Sequence, residues 1–424
     1  MNLPTLNAIR FEQIGRALAL LLVFWSPFSG GPRVFSALLA IMGGWLIYRE
    51  RATLFAQSAM KRWSIIFLLL WIPLLVSVPG SLKLSHSLKI AASLPLYFLV
   101  GVALIYSLRR AEDRLWLAKG IGLTLALWLV DGLVQYFFGR DLIGVPLTPD
   151  GRIVGAFGDN LHLALFLAVL APVGLWLLLP ARVVWAIGLY LVGAFVTLLS
   201  GSRMTIVMLL LVAAGVYWRA TWRYKLPLLI VTLAAVAGLV ALASNHLLVQ
   251  ERLERTRAIG EWTFTGIDTA LSGRLTIWET AGRMFADRPL TGVGAGAFRS
   301  AYDRYATRPD DPFRGGGGFE GGVYHAHQMY ISIAAESGVI GLAAVLCALF
   351  LGVKWYFAAP PGHRRRAWPF AFSLLVAVFP VNSQPVIYTH WWFPVLLLLL
   401  CASLAAVDPA ADSLGSETRR KQDP

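Results

Sequence analysis

The chain has 424 residues, of which 57% are hydrophobic and only 14% charged, with a mean hydropathy of +0.65. Soluble domains carry about a quarter charged residues, so this balance excludes a large soluble core and points to a multi-pass membrane protein. The formal charge of +14 is not read as a nucleic-acid surface, because much of it sits in short loops between apolar spans, where Lys and Arg orient a chain in the bilayer.

A helix needs about 20 mostly apolar residues to cross the hydrocarbon core. In chain order such segments are predicted near 12–28, 34–48, 63–79, 87–108, 115–138, 160–179, 183–200, 204–218 and 226–243. Three more follow near 327–353, 367–384 and 390–407, making about twelve crossings. The first has no convincing small-residue cleavage site and reads as a retained anchor rather than a removed signal peptide. Cys347 and Cys401 both fall inside apolar spans without disulfide or metal spacing, as packing residues do.

Placing the N-terminus in the cytoplasm puts "YRERATLFAQSAMKR", "LRRAEDR", "PARVV", "YWRATWRYK", "GHRRRAW" and the terminal "RRKQDP" on the same side. The opposite short loops, "SPFSGGPRV", "VPGSLKLSH", "LSGSR" and "QPVIYTH", are poorer in Lys and Arg. Both termini are therefore predicted cytoplasmic. The expected organisation is residues 1–244 as nine crossings, 245–326 as an extracytoplasmic loop domain, 327–407 as three further crossings and 408–424 as a cytoplasmic tail. Within the loop, "LLVQERLERTRAIGEWT" and "SGRLTIWETAGRMFADRP" each read as a helix with one apolar face. "LTGVGAGAF" ends the second and "RGGGGFEGG" supplies a flexible tether.

This topology gathers three basic groups at one face of the membrane: Arg203 in "LSGSRMT", Arg274 in "LSGRLTIW" and His327 at the start of the returning span. Taken singly, each has an ordinary explanation: a snorkelling Arg, a loop-surface Arg and a histidine at a helix start. Together they suit a diphosphate leaving group and a hydroxyl nucleophile. Guanidinium forks grip phosphate oxygens bidentately, and a neutral imidazole accepts a proton near neutrality. "GVGAG" at 292–296 reads as a turn rather than a dinucleotide loop, since no buried strand precedes it. Asp310 and Asp311 have no companion histidine and are not taken as a metal site. Glu336, deep in an apolar span, is expected to make a structural hydrogen bond between helices.

The stretch beginning at His327, with Tyr330 and Ile331 and then "ESGVIGL" carrying Glu336, Gly338 and Gly341, resembles the hallmark of the O-antigen ligase and O-antigen polymerase superfamily, which also contains pilin oligosaccharyltransferases. "GSR" at 201–203, "SGRLTIWETAGRMFADRPLTGVGAGAF" at 272–298 and "VGAFGDNLHLALFLAV" from Val154 are similar to further family segments in the same order. The spacing to Glu336 selects His327 as the family histidine and leaves His325 as a helper or a bystander. Gln328 departs from the family's usual Asn or Ser but keeps a polar group. Pilin-type members are usually longer, often with extra C-terminal regions, so the short tail after the last span argues against that branch.

The resemblance implies an all-α integral membrane protein of the lipid-linked-sugar glycosyltransferase type (GT-C-like), metal-independent and without a cofactor. Its donor would be an O-antigen glycan on undecaprenyl diphosphate. Its acceptor would be lipid A–core, met on the periplasmic face of a Gram-negative inner membrane. Carried over, Arg203 and Arg274 would hold the diphosphate and His327 would activate the acceptor hydroxyl, with inversion at the anomeric carbon. His325, Gln328, Tyr330 and Trp278 would contact substrate. A polymerase, using a second lipid-linked glycan as acceptor, is the alternative within the family. A flippase would instead need polar residues distributed through the bundle.

Overall fold

Inside hydrocarbon a backbone N–H or C=O has no water to bond, so a chain this apolar must satisfy its polar groups within helices. The computed structural model describes residues 3–28, 30–160, 162–179, 182–219, 257–316, 323, 325–380 and 387–408, with scattered residues between 222 and 254. Among the described residues the regular structure is helical, and no strand occurs. The first set of helices is α1 (Leu3–Phe24), α2 (Gly31–Ala56), α3 (Ser58–Ser77), α4 (Leu84–Ser107) and α5 (Ala111–Phe138). Then come α6 (Leu163–Leu178), α7 (Val183–Ser200) and α8 (Arg203–Arg219). The short helices α9 (Phe264–Ala270), α10 (Arg274–Asp287) and α11 (Phe298–Tyr305) precede α12 (Met329–Ala358), α13 (Pro361–Val378) and α14 (Phe393–Ala406).

Six of these, α2, α3, α4, α5, α7 and α12, are long and apolar enough to cross a membrane, and α6 and α14 are shorter apolar helices. The chain is a multi-pass membrane protein. Every predicted span falls on a helix except that at 226–243, most of which lies outside the described residues. Boundaries differ where polar residues continue a helix beyond its apolar part. α13 starts at Pro361 and takes the basic run "GHRRR" into its first turns, because Pro at the first helical position gives up no hydrogen bond. Packing centres on α6, which contacts α5, α7, α8 and α13, while α2 lies on α4, α3 on α12 and α13 on α14. Part of the basic loop at 108–114 is tied down rather than solvated. Buried Glu12 pairs with Arg109 and Arg110, and Arg16 donates to Asp113 at 2.5 Å.

Between α8 and α12, the predicted helix at 272–289 appears as α10. Most of the other predicted helix, 247–263, lies outside the described residues, as does 317–322 of the glycine tether. Helix α11 was not anticipated. It is short, and its apolar face (Phe298, Ala301, Tyr302, Tyr305) packs with Ile277 and Met284 of α10 in a separate small core. Asp311 belongs to that packing. Its carboxylate accepts from the Tyr302 hydroxyl at 3.0 Å and from the Phe313 N–H at 2.9 Å.

Two glycine motifs that are about 45 residues apart in the sequence form one joint. Helix α12 breaks at Gly338 (φ 63°, ψ −161°), a conformation open essentially to glycine alone. The break frees backbone groups, and residues 289–294 take them up like a short strand. Val339 N–H donates to Pro289 O at 2.8 Å and Ile340 N–H to Leu290 O at 3.4 Å. In the other direction, Val293 N–H donates to Ala335 O at 2.9 Å and Gly294 N–H to Glu336 O at 3.0 Å. The backbones approach so closely that a Cβ on Gly338 would lie 2.3 Å from Leu290 C, and one on Gly292 would lie 2.3 Å from Glu336 C. "GVGAG" is thus a turn that docks into a broken helix, with Gly292, Gly294 and Gly296 all at positive φ.

Candidate active site

Each of the two candidate arginines is the first residue of a helix. Gly201, left-handed at φ 77°, ends α7, and Arg203 opens α8. Ser272 and Gly273 are both left-handed (φ 59° and 78°), turning the chain from α9 into α10, whose first residue is Arg274. The carboxylate of Asp268 fixes that start. One oxygen accepts from Leu275 N–H at 2.8 Å and the other from Thr276 Oγ1 at 2.6 Å. The two helix starts meet: the Arg203 guanidinium donates to Ser272 Oγ at 2.8 Å. A cation at a helix N-terminus opposes the macrodipole, and two such ends brought together make a strongly positive corner suited to an anion.

The histidine loop enters the same corner. The sequence reading starts the helix at His327; the structure starts it at Met329, with Gln328 as its cap and His327 in a left-handed conformation (φ 51°) just outside. The cause is the cap itself: Gln328 Oε1 accepts from Ile331 N–H at 2.7 Å, which requires extended backbone at Gln328. His327 N–H donates to His325 Nδ1 at 3.0 Å, and the two rings lie edge to face with centroids 4.4 Å apart. That contact makes Nδ1 of His325 the acceptor and leaves its proton on Nε2.

Three residues expected to touch substrate have their polar ends engaged by protein. Trp278 Nε1 donates to Ala326 O at 2.9 Å, Tyr330 OH to Val378 O at 2.6 Å and Gln328 Nε2 to Pro380 O at 2.9 Å. They anchor the loop from three sides: α10, the end of α13 and the segment after it. Ser332 Oγ, accepting from Ala326 N–H at 3.1 Å, adds a fourth tie. Ser332, Ser272 and Asp268 were not singled out from the sequence, since a lone Ser or Asp near a helix start carries no signal of which distant residue it will meet.

Charge couples these groups. Burial pushes the His327 imidazole down to about 4, and the positive Arg274 adds to the effect. His325 falls to about 3 through burial, then His327 and then Arg274. Arg274 is itself lowered, by burial first and by Arg203 second. Both imidazoles are therefore neutral at pH 7, beside two guanidinium groups. The site offers a proton acceptor and a place for an anion side by side. Glu336 stands behind it as a structural group: buried at 1% exposure, it accepts from Phe298 N–H at 3.2 Å and ties α12 to the start of α11.

Residues 188–346, from within α7 to the middle of α12, match the family model described as O-antigen ligase. The chain carries an O-antigen ligase family domain. The matched span of this domain holds Arg203, Arg274, both histidines and the joint at Gly338. The family's chemistry is the transfer of lipid-linked glycans. No curated protein matches the chain.

Proposed function

We propose that the protein is an O-antigen ligase that transfers a glycan from undecaprenyl diphosphate to lipid A–core. The reaction would take place on the periplasmic face of a Gram-negative inner membrane. The observation that carries this reading is the meeting of Arg203, Arg274 and a neutral His327 at helix starts inside the family-matched span. The fold is then a GT-C-like bundle of about twelve crossings. Both termini lie in the cytoplasm, and the loop domain of 245–326 lies on the periplasmic side.

Arg203 and Arg274 bind the diphosphate and stabilise the charge that builds on it as the sugar–phosphate bond breaks. His327 accepts the acceptor hydroxyl's proton as its oxygen attacks C1 from the side opposite the diphosphate, so the anomeric configuration inverts. The two arginines supply the positive charge that a metal would otherwise provide, so the reaction needs no divalent ion or cofactor. Neighbouring lipid and the two glycolipids are the partners.

Reconstitution with a lipid-linked O-antigen and two acceptors, lipid A–core and a second lipid-linked glycan, tests the assignment. Product on lipid A–core supports the ligase. Elongated lipid-linked glycan alone makes the protein a polymerase, and no product with either acceptor overturns the reading.

A further inference from the structure

Along α12 and at its far end the structure holds two adjoining cavities. A groove of about 540 Å³ runs between α3, α8, α12, α13 and α14, from Met329 and Ile387 at one end to Arg219 and Tyr356 at the other. Its walls are almost wholly apolar side chains. A second cavity, of about 450 Å³, shares Arg219, Tyr356 and Phe357 with the groove and adds Arg364 and Arg365. Tyr356 lies 26 residues beyond Tyr330 in the same helix, or roughly 40 Å along it, so this mouth is remote from the histidine loop.

The chemistry of the mouth is one-sided. Arg219 lies over the Trp368 ring at 5.2 Å, and Arg364 donates one N–H to Phe357 O at 3.4 Å. None of Arg219, Arg364 and Arg365 forms an ion pair among the described residues. Arg364 and Arg365 also stand in the first turns of α13, where the helix dipole disfavours cations and favours an anion. Orienting the chain in the bilayer needs only the charges. It does not require a cavity between them that opens into an apolar groove.

We infer that this is a binding site for an anionic glycerophospholipid. The headgroup phosphate is held by Arg219, Arg364 and Arg365, and an acyl chain lies in the groove beside α12. The charge complements a phosphate and the walls complement hydrocarbon, which is the two-part chemistry of such a lipid. The inference does not depend on the reaction proposed above.

The test is lipid retention, read by native mass spectrometry, after reconstitution in vesicles of phosphatidylethanolamine and phosphatidylglycerol in equal parts. The wild-type protein is expected to retain phosphatidylglycerol over phosphatidylethanolamine by about tenfold or more. The combined Arg219→Gln, Arg364→Gln, Arg365→Gln variant should lose that preference. Gly352→Phe should release the lipid with the arginines intact, because Gly352 lines the groove and a Cβ there meets nothing within 4 Å. Equal retention of the two lipids by the wild type overturns the proposal, as does unchanged retention of phosphatidylglycerol in the triple variant. Adding undecaprenyl phosphate to the vesicles identifies the other possible source of a lipid phosphate. If it displaces phosphatidylglycerol completely, the groove belongs to a polyprenyl chain and the proposal fails.

Discussion

Replacing Gly338 by alanine tests the joint between α12 and residues 289–294 directly. Its backbone (φ 63°, ψ −161°) lies where an L side chain costs about 1–3 kcal/mol. The added Cβ would also sit 2.3 Å from both C and O of Leu290, which are backbone atoms that no rotamer change can move. Relief requires the 289–294 segment to lift, loosening four backbone hydrogen bonds of 2.8–3.4 Å, each about 1 kcal/mol net. With all four bonds lost, the sum is about 5–7 kcal/mol. Gly352, in the same helix, is the matched control. Open space surrounds its Cβ position, so Gly352→Ala should gain about 1 kcal/mol from helix propensity. Unfolding of both variants in mild detergent, followed by circular dichroism, measures the difference. Stabilities within about 1 kcal/mol of each other would refute the joint as an energetic feature. The joint also holds the segment that follows α10, so Gly338→Ala should impair glycan transfer under conditions where it remains folded.

The remaining predictions concern the site. His327→Ala should abolish transfer while leaving the protein folded; full transfer by the purified variant would remove its assigned role. His325→Asn should retain more activity than His325→Ala, because the Asn oxygen can accept the His327 N–H in place of Nδ1. Loss of that contact should cost about tenfold, the scale of one hydrogen bond of about 1.4 kcal/mol, and equal rates for the two variants would count against a positioning role. Arg274→Lys and Arg203→Lys should both be damaging, since a point charge cannot replace the bidentate fork; wild-type turnover by either would contradict the diphosphate clamp. Burial and Arg274 hold His327 down to about 4 in the free protein, and protonation would remove the lone pair proposed to accept the hydroxyl proton. The acid limb of kcat/KM, which reports the free enzyme, should therefore lie near pH 4 and not near the ordinary imidazole value. An acid limb at that ordinary value would show that the loop is solvated when the enzyme works.

The helical architecture was largely legible in the sequence, because a crossing helix is a local property: a run of apolar residues of bilayer length, bounded by charges. α11 escapes that reading for another reason: Phe298, Ala301, Tyr302 and Tyr305 do follow helical spacing, but eight residues are too short a run to hold a helix without the packing that α10 supplies. Arg203, Arg274 and His327 were found through motif and sidedness, and the structure does bring them together. Their surroundings could not be read that way. That Arg203 reaches Ser272, that Trp278, Tyr330 and Gln328 hold the histidine loop, and that His325 accepts from the His327 backbone all depend on contacts between separate helices. Local hydropathy and charge specify the order of the apolar segments and the kinds of charged group near their ends. That "PLTGVG" and "ESG" are two halves of one joint emerges from the folded chain alone, because the backbone groups freed by a broken helix can be answered by any backbone that fits, and fit is a matter of three-dimensional approach.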